Sequence, residues 1–200
     1  MDTRDKNKTF PLESLASYIT AYADQLVACI NNMDKKKLEQ AANCLHVAQQ
    51  LGRRIFIAGN GGSASISEHM ECDFHKGCHH GNTLLTRSLV SNVALLTAIA
   101  NDIGYDEVFK YQLELAAVMP GEILILVSSS GNSPNILKAL DYARAMNMTT
   151  IGFSGFGGGL LAKHVDISLH VPFENYGLVE DAHQLLFHCL AQYHYLKMKS

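Results

Sequence analysis

The chain has 200 residues, 48% of them hydrophobic, enough to bury a full core. Its net charge of −3 and pI near 6.3 give no electrostatic reason to expect nucleic acid as the main partner. The longest apolar stretches fall far short of the ~20 residues a membrane span requires. The start, Met1-Asp2-Thr3-Arg4-Asp5-Lys6, lacks an apolar signal core, and five cysteines without a Cys-x-x-Cys pair read as reduced thiols, so a cytoplasmic protein is expected.

In chain order, Leu12 to Met33 and Lys35 to Leu51 are amphipathic and free of internal Gly and Pro, which predicts two N-terminal helices. Asp34 can cap the second and Gly52 ends it. Their apolar faces (Leu15, Ile19, Leu26, Ile30; Leu38, Ala41, Leu45, Ala48) need burial, on a sheet or against another subunit. Alternation then sets in: strand Arg53–Ala58, helix Ser63–Phe74, strand Thr83–Val90, helix Asn92–Ala100, and a helix from about Tyr105 to Val118. The second half predicts strand Glu122–Val127, helix Pro134–Met146, strand Thr149–Phe153, a Gly-rich turn at Gly155 to Gly159, strand Asp166–Val171 and helix Val179–Lys197. Strands that read as continuous apolar runs and alternate with helices indicate an α/β fold, a parallel sheet covered on both faces. With no repeat and no linker, residues 1–200 read as one domain, with 11–51 as a helical extension.

Two short loops carry the strongest chemical signal. Ala58-Gly59-Asn60-Gly61-Gly62-Ser63-Ala64-Ser65 and Val127-Ser128-Ser129-Ser130-Gly131-Asn132-Ser133-Pro134 each join an apolar strand to a helix. Small residues there let N–H groups and hydroxyls converge on an anion. Ser133 fits an N-cap and Pro134 the first helical turn, which aims the positive helix end at the serines. A phosphorylated small molecule is the expected ligand. Gly59-x-Gly61-x-x-Ala64 also fits a dinucleotide fingerprint, but no acidic residue ends the next strand to hold a ribose, which disfavours that reading.

Two helices each bring a carboxylate and an imidazole. His69 and Asp73 lie four apart, so both project from one helix face. On the last helix Glu180, Asp181, His183, Gln184 and His188 cluster, with Glu180 and His188 roughly on one side. Two His and two acids from facing helices suit zinc or a similar divalent ion, or general acid–base work. Taken alone, each His–acid pair also suits a solvated surface pair. A second group, Cys72, His75, Cys78, His79 and His80, is rich in soft ligands, but its spacing matches no closed structural site.

Four segments resemble the SIS (sugar isomerase) domain family. They are Gly59 to Ser65, Leu96-Thr97-Ala98-Ile99-Ala100-Asn101-Asp102, Ser128 to Ser133, and Thr149-Thr150-Ile151-Gly152-Phe153-Ser154-Gly155. Within that superfamily the chain resembles the phosphoheptose isomerases over nearly its whole length. The resemblance implies a three-layer α/β/α sandwich with N-terminal helices and a homo-oligomer, expected to be a tetramer. The implied activity is aldose–ketose isomerisation of sedoheptulose 7-phosphate, in carbohydrate metabolism that serves lipopolysaccharide or polysaccharide precursors. It places phosphate on Ser128, Ser129, Ser130 and Ser133, and sugar contacts on Asn60, Gly61, Gly62, Asn101 and Asp102. It places an acid/base pair and a zinc site on His69, Asp73, Glu180 and His188, with Glu180 also counted among the substrate contacts. Asp73 is then the base and His188 the acid, although the two roles could be exchanged. The family usually carries Glu at Asp73, Gln at Glu180, a small–Arg pair at Lys76-Gly77 and Asp at Gly177. These departures keep ionisable groups in the site and imply an altered substrate rather than a dead enzyme. A non-catalytic SIS adaptor and a sugar-phosphate sensor are the alternatives.

Overall fold

The computed structural model describes residues 10–79 and 83–199. The charged segment 1–6, His80 and Gly81 lie outside these residues. Helix α1 spans Leu15–Asn31 and α2 spans Lys35–Gln50. Pro11 and a reciprocal cap start α1 later than its apolar pattern: Ser17 N–H donates to Ser14 Oγ at 3.0 Å, and Ser14 N–H returns to Ser17 Oγ at 3.2 Å. Asp34 caps α2 as expected, accepting from Lys36 N–H.

Five parallel strands follow: β1 (Arg54–Gly59), β2 (Leu85–Ser88), β3 (Ile123–Ser128), β4 (Thr149–Ser154) and β5 (Ile167–His170). They lie in the order β2-β1-β3-β4-β5. Alternate side chains serve opposite layers, as the pleat requires. Ile55, Ile57, Ile123, Ile125, Val127, Ile151, Phe153, Ile167 and Leu169 join a core with residues of α1 and α2, α3 (Gly62–Cys72) and α8 (Tyr176–Lys199). Phe56, Ala58, Leu124 and Leu126 join a second core with α4 (Val93–Asp102), α5 (Val108–Leu115), α6 (Pro134–Ala145) and α7 (Gly159–His164). This is the expected α/β/α sandwich.

Several boundaries differ for local reasons. The helix after β1 does not stop at Phe74. It widens into a π turn over Asp73–Gly77, closed by Cys78 N–H on Asp73 C=O at 2.9 Å. A 3₁₀ turn at Tyr105–Glu107 precedes α5, and Ala117 at φ 45° follows its end. Helix α7 lies where the sequence predicts a Gly-rich turn and no further element, because Gly158 and Gly159 at its start hide its pattern. Asn175 starts α8 at Tyr176, three residues early, by accepting from Leu178 N–H at 3.0 Å. On α1, Leu26 and Ile30 pack on the core, whereas Leu15 (80% exposed) and Ile19 (61%) remain uncovered.

Candidate active site

The strand order decides where the two loops meet. The chain leaves β1 toward β2 on one side, and β3 lies on the other side and leads toward β4. The carboxyl ends of β1 and β3 therefore flank the point where the order reverses, which is where open α/β sheets form a crevice. A cleft of ≈150 Å³ lies there, lined by Asn60 and Ser63 from the first loop, Ser128, Ser129, Ser130 and Ser133 from the second, and Tyr176 and Glu180 from α8. A larger groove of ≈770 Å³, with Lys37, Arg144 and Asp166 in its lining, opens at the amino ends of β4 and β5 and gathers none of these groups.

The serine loop is braced from behind. Gly131, at φ +65°, approaches Gly158 so closely that an added Cβ would collide with the Gly158 carbonyl. Leu161 N–H donates to Gly131 C=O at 2.9 Å, and Leu160 N–H to Asn132 Oδ1 at 3.0 Å. The glycines at 158 and 159 thus serve backbone-to-backbone packing against the loop. One expectation is corrected here: Ser133 occupies the N-cap position, but its hydroxyl does not cap α6. It lies 3.4 Å from Ser128 Oγ instead, and Ile136 N–H is taken by Asn135 Oδ1 at 3.0 Å.

Beneath the loop sits a buried polar cluster. His183 is fully buried and its Nε2 donates to Ser154 C=O at 3.2 Å. Its Nδ1 and the hydroxyls of Ser129 and Ser154 have no hydrogen-bond partner among the described residues. Burial pulls the His183 pKa down to about 4, with the Ser154 hydrogen bond opposing.

Farther along α3 and α8, three donors converge. His69 Nε2 is 3.1 Å from His188 Nε2, and Asp73 Oδ2 lies 3.4 Å from His69 and 3.7 Å from His188. The π turn starts at Asp73, beside this cluster. Two imidazoles and a carboxylate are a zinc-type donor set with room for a further ligand. Donors of a tetrahedral zinc at ~2.0–2.1 Å are ~3.3 Å apart, and the three separations of 3.1, 3.4 and 3.7 Å straddle that value. The residues therefore fit the ion. The cluster is partly open to solvent, with side-chain exposures of 52% for His69, 32% for Asp73 and 42% for His188.

Glu180 is not in this group. Eight residues put it on the same side of α8 as His188, but also ~12 Å away along the axis. Its carboxylate instead lies over Gly62, where an added Cβ would collide with it, and lines the serine cleft. Burial, and secondarily Asp181, raise its pKa. Gly61 sits at the entrance to α3. Asn101 and Asp102 end α4 exposed, bonded to each other at 2.7 Å, and are not part of the cleft lining. The Cys72–His80 group does not assemble among the described residues: Cys78 is buried, its thiol donates to Ala191 C=O, and burial pushes its pKa up to about 12. All five cysteines are unpaired.

Further contacts surround these groups. Gln184 places its amide 3.0 Å from His188 Nε2. Tyr22 of α1 donates to Asp181 Oδ2 at 2.6 Å and lies next to Gly177. Asn135 and Tyr105 both bond Asn60. Tyr22, Asn135 and Tyr105 meet partners 159, 75 and 45 positions away, so no local spacing marks them, whereas Gln184 lies four residues from His188.

A SIS domain family model matches residues 17–155. The phosphoheptose isomerase of Roseiflexus sp. (strain RS-1) is 33% identical over 178 residues, covering 84% of this chain and 89% of that protein. The phosphoheptose isomerase of Nitratidesulfovibrio vulgaris is 39% identical over 142 residues, covering 70% and 68%. Solved phosphoheptose isomerase structures from Neisseria gonorrhoeae and Francisella tularensis superpose with a TM-score of 0.82 each, at 28% and 27% identity. They cover 90% and 98% of this chain and 98% and 100% of their own.

Proposed function

Because the chain belongs to the phosphoheptose isomerase family of SIS-domain proteins, we propose that its serine cleft holds the substrate phosphate and that the His69–Asp73–His188 cluster carries the proton transfer. The chain is a phosphosugar isomerase, interconverting sedoheptulose 7-phosphate and a seven-carbon aldose phosphate. Aldose–ketose exchange moves a proton between C1 and C2 through an enediol, which needs a base, an acid at the oxygen and support for the developing negative charge.

The observation that carries the site assignment is that two helices run from one centre to the other. Ser63 of α3 and Glu180 of α8 line the cleft, and His69 and His188 follow on the same helices, with Asp73 at the start of the π turn that continues α3. From Ser63 to His69 is ~9 Å along α3, a span suited to an extended sugar whose phosphate sits at one end and whose carbonyl sits at the other. Ser128, Ser130 and Ser133 supply hydroxyls to the phosphate at the N-terminus of α6, whose dipole favours the anion, while Ser129, expected to join them, lines the cleft with its own hydroxyl turned into the buried cluster. Asp73 takes the carbon-bound proton and His188 exchanges one with the neighbouring oxygen. His69, Asp73 and His188 would hold zinc, which when bound supplies Lewis-acid polarisation of the substrate oxygens. Asn60, Gly61, Gly62 and Glu180 contact the sugar from the cleft wall. Asn101 and Asp102, outside the cleft lining of this chain, enter only as an expectation from resemblance.

A homo-oligomer, read as a tetramer, is supported by the uncovered apolar side chains of Leu12, Leu15 and Ile19. Among the described residues no helix is long and apolar enough to cross a membrane. A cytoplasmic enzyme supplying polysaccharide or lipopolysaccharide precursors is consistent with this.

The test is turnover of sedoheptulose 7-phosphate by the wild type and by His188→Ala, with metal analysis of both. Turnover should fall by ~10²-fold or more, and bound divalent metal should drop from about one ion per chain. Undiminished turnover in His188→Ala would overturn the site assignment.

A further inference from the structure

We propose that Asn135 is a positioning residue that locks the Asn60 amide as a hydrogen-bond donor toward the substrate. This rests on the reading of Asn60 as a sugar contact.

The orientation follows from one group whose role is unambiguous. A backbone N–H can only donate, and Ile136 N–H meets Asn135 Oδ1 at 3.0 Å. Asn135 is 2% exposed, so its amide has no solvent alternative. With its oxygen so assigned, Asn135 Nδ2 donates to Asn60 Oδ1 at 2.9 Å, and Asn60 Nδ2 returns to Asn135 Oδ1 at 2.9 Å. The Tyr105 hydroxyl donates to the same Asn60 oxygen at 2.9 Å. Two donors occupy both lone pairs of Asn60 Oδ1, and one of its two Nδ2 hydrogens is used. A single N–H therefore remains as the side chain's capacity toward the cleft that Asn60 lines.

Asn60 can thus serve only an acceptor atom: a carbonyl, alkoxide or hydroxyl oxygen of the sugar. A reversed amide would oppose oxygen to oxygen across the pair with Asn135. Holding a donor fixed before charge develops is the arrangement that lowers a barrier rather than merely tightening binding. The pair also ties the loop after β1 to the first turn of α6, bridging the crevice.

The experiment measures kcat and KM for sedoheptulose 7-phosphate in Asn60→Ala, Asn135→Ala, the double variant and Tyr105→Phe, with thermal melts of each. Asn135→Ala should lose ~10-fold or more in kcat with little change in KM, because the serines assigned to the phosphate are unchanged. The double variant should be within ~2-fold of Asn60→Ala, since Asn135 acts through Asn60. Multiplying losses, or full activity in a folded Asn135→Ala, would overturn the proposal. If Asn135→Ala does not fold, Tyr105→Phe at an exposed position decides it: kcat should fall ~3-fold or more in the wild-type background and not at all beside Asn60→Ala. Any other pattern overturns the proposal. Full activity in Asn60→Ala would instead refute Asn60 as a sugar contact, a failure visible without any change at Asn135.

Discussion

Acid should loosen this protein through His183 before it reaches most carboxylates. The imidazole is fully buried on α8, edge-on to Phe153 with ring centroids 5.7 Å apart, and is bonded through Nε2–H to Ser154 C=O. Burial holds its pKa at about 4 against an ordinary 6.5. Between those values the unfolded chain binds a proton that the folded chain refuses, so falling pH favours unfolding. The stability in question is fully present above about pH 6.5 and is lost on the descent to about 4. At 1.36 kcal/mol per pH unit, that interval is worth ~3 kcal/mol, a large part of a typical 5–15 kcal/mol total. Urea melts of the wild type and His183→Gln between pH 8 and 4 measure it. Glutamine can offer an N–H near the Nε2 position without titrating in this range. The wild type should lose ~3 kcal/mol more than the variant over the window. Taking the difference removes the contributions of the carboxylates and of His194, whose pKa burial also lowers. Parallel pH dependences would refute the reasoning.

Further outcomes are expected at three places in the molecule. Gly131→Ala must leave φ +65° or collide with the Gly158 carbonyl, and should cost ~2–5 kcal/mol in denaturant melts. Asp73→Asn should lower kcat by ~10²–10⁴-fold while the far-UV spectrum and melting temperature stay near those of the wild type. Asp73→Glu, which keeps a carboxylate, is expected to retain measurable turnover of sedoheptulose 7-phosphate. Replacing Ser128 and Ser130 together by Ala should raise KM for the sugar phosphate far more than it shifts the melting temperature, and unchanged KM would remove the phosphate from this loop.

Much of the architecture was legible because it is written in short-range patterns. Continuous apolar runs of strand length and 3.6-residue stripes depend on neighbours a few positions away, so all five strands and most helices could be read directly. The same holds for the Gly59–Gly62 and Ser128–Ser133 loops, and for His69 and Asp73 at a spacing of four. Where local cues compete, the reading erred: the π turn after Cys72 has no sequence mark, and α7 opens on glycines that resemble a turn.

Only the tertiary structure decided which groups meet. Nothing in a strand's own residues says that β1 lies between β2 and β3, yet that order brings the two loops to one crevice. Helical phase put Glu180 and His188 on one side but did not register their axial separation, and packing of α3 against α8 chose Asp73 as the carboxylate beside both imidazoles. Asn135, 75 positions from Asn60, could be matched to it only once the first turn of α6 was brought beside the loop after β1. Local periodicity specifies elements and faces. Which side chains become neighbours across the sheet is set by the packing that excludes water from both of its faces.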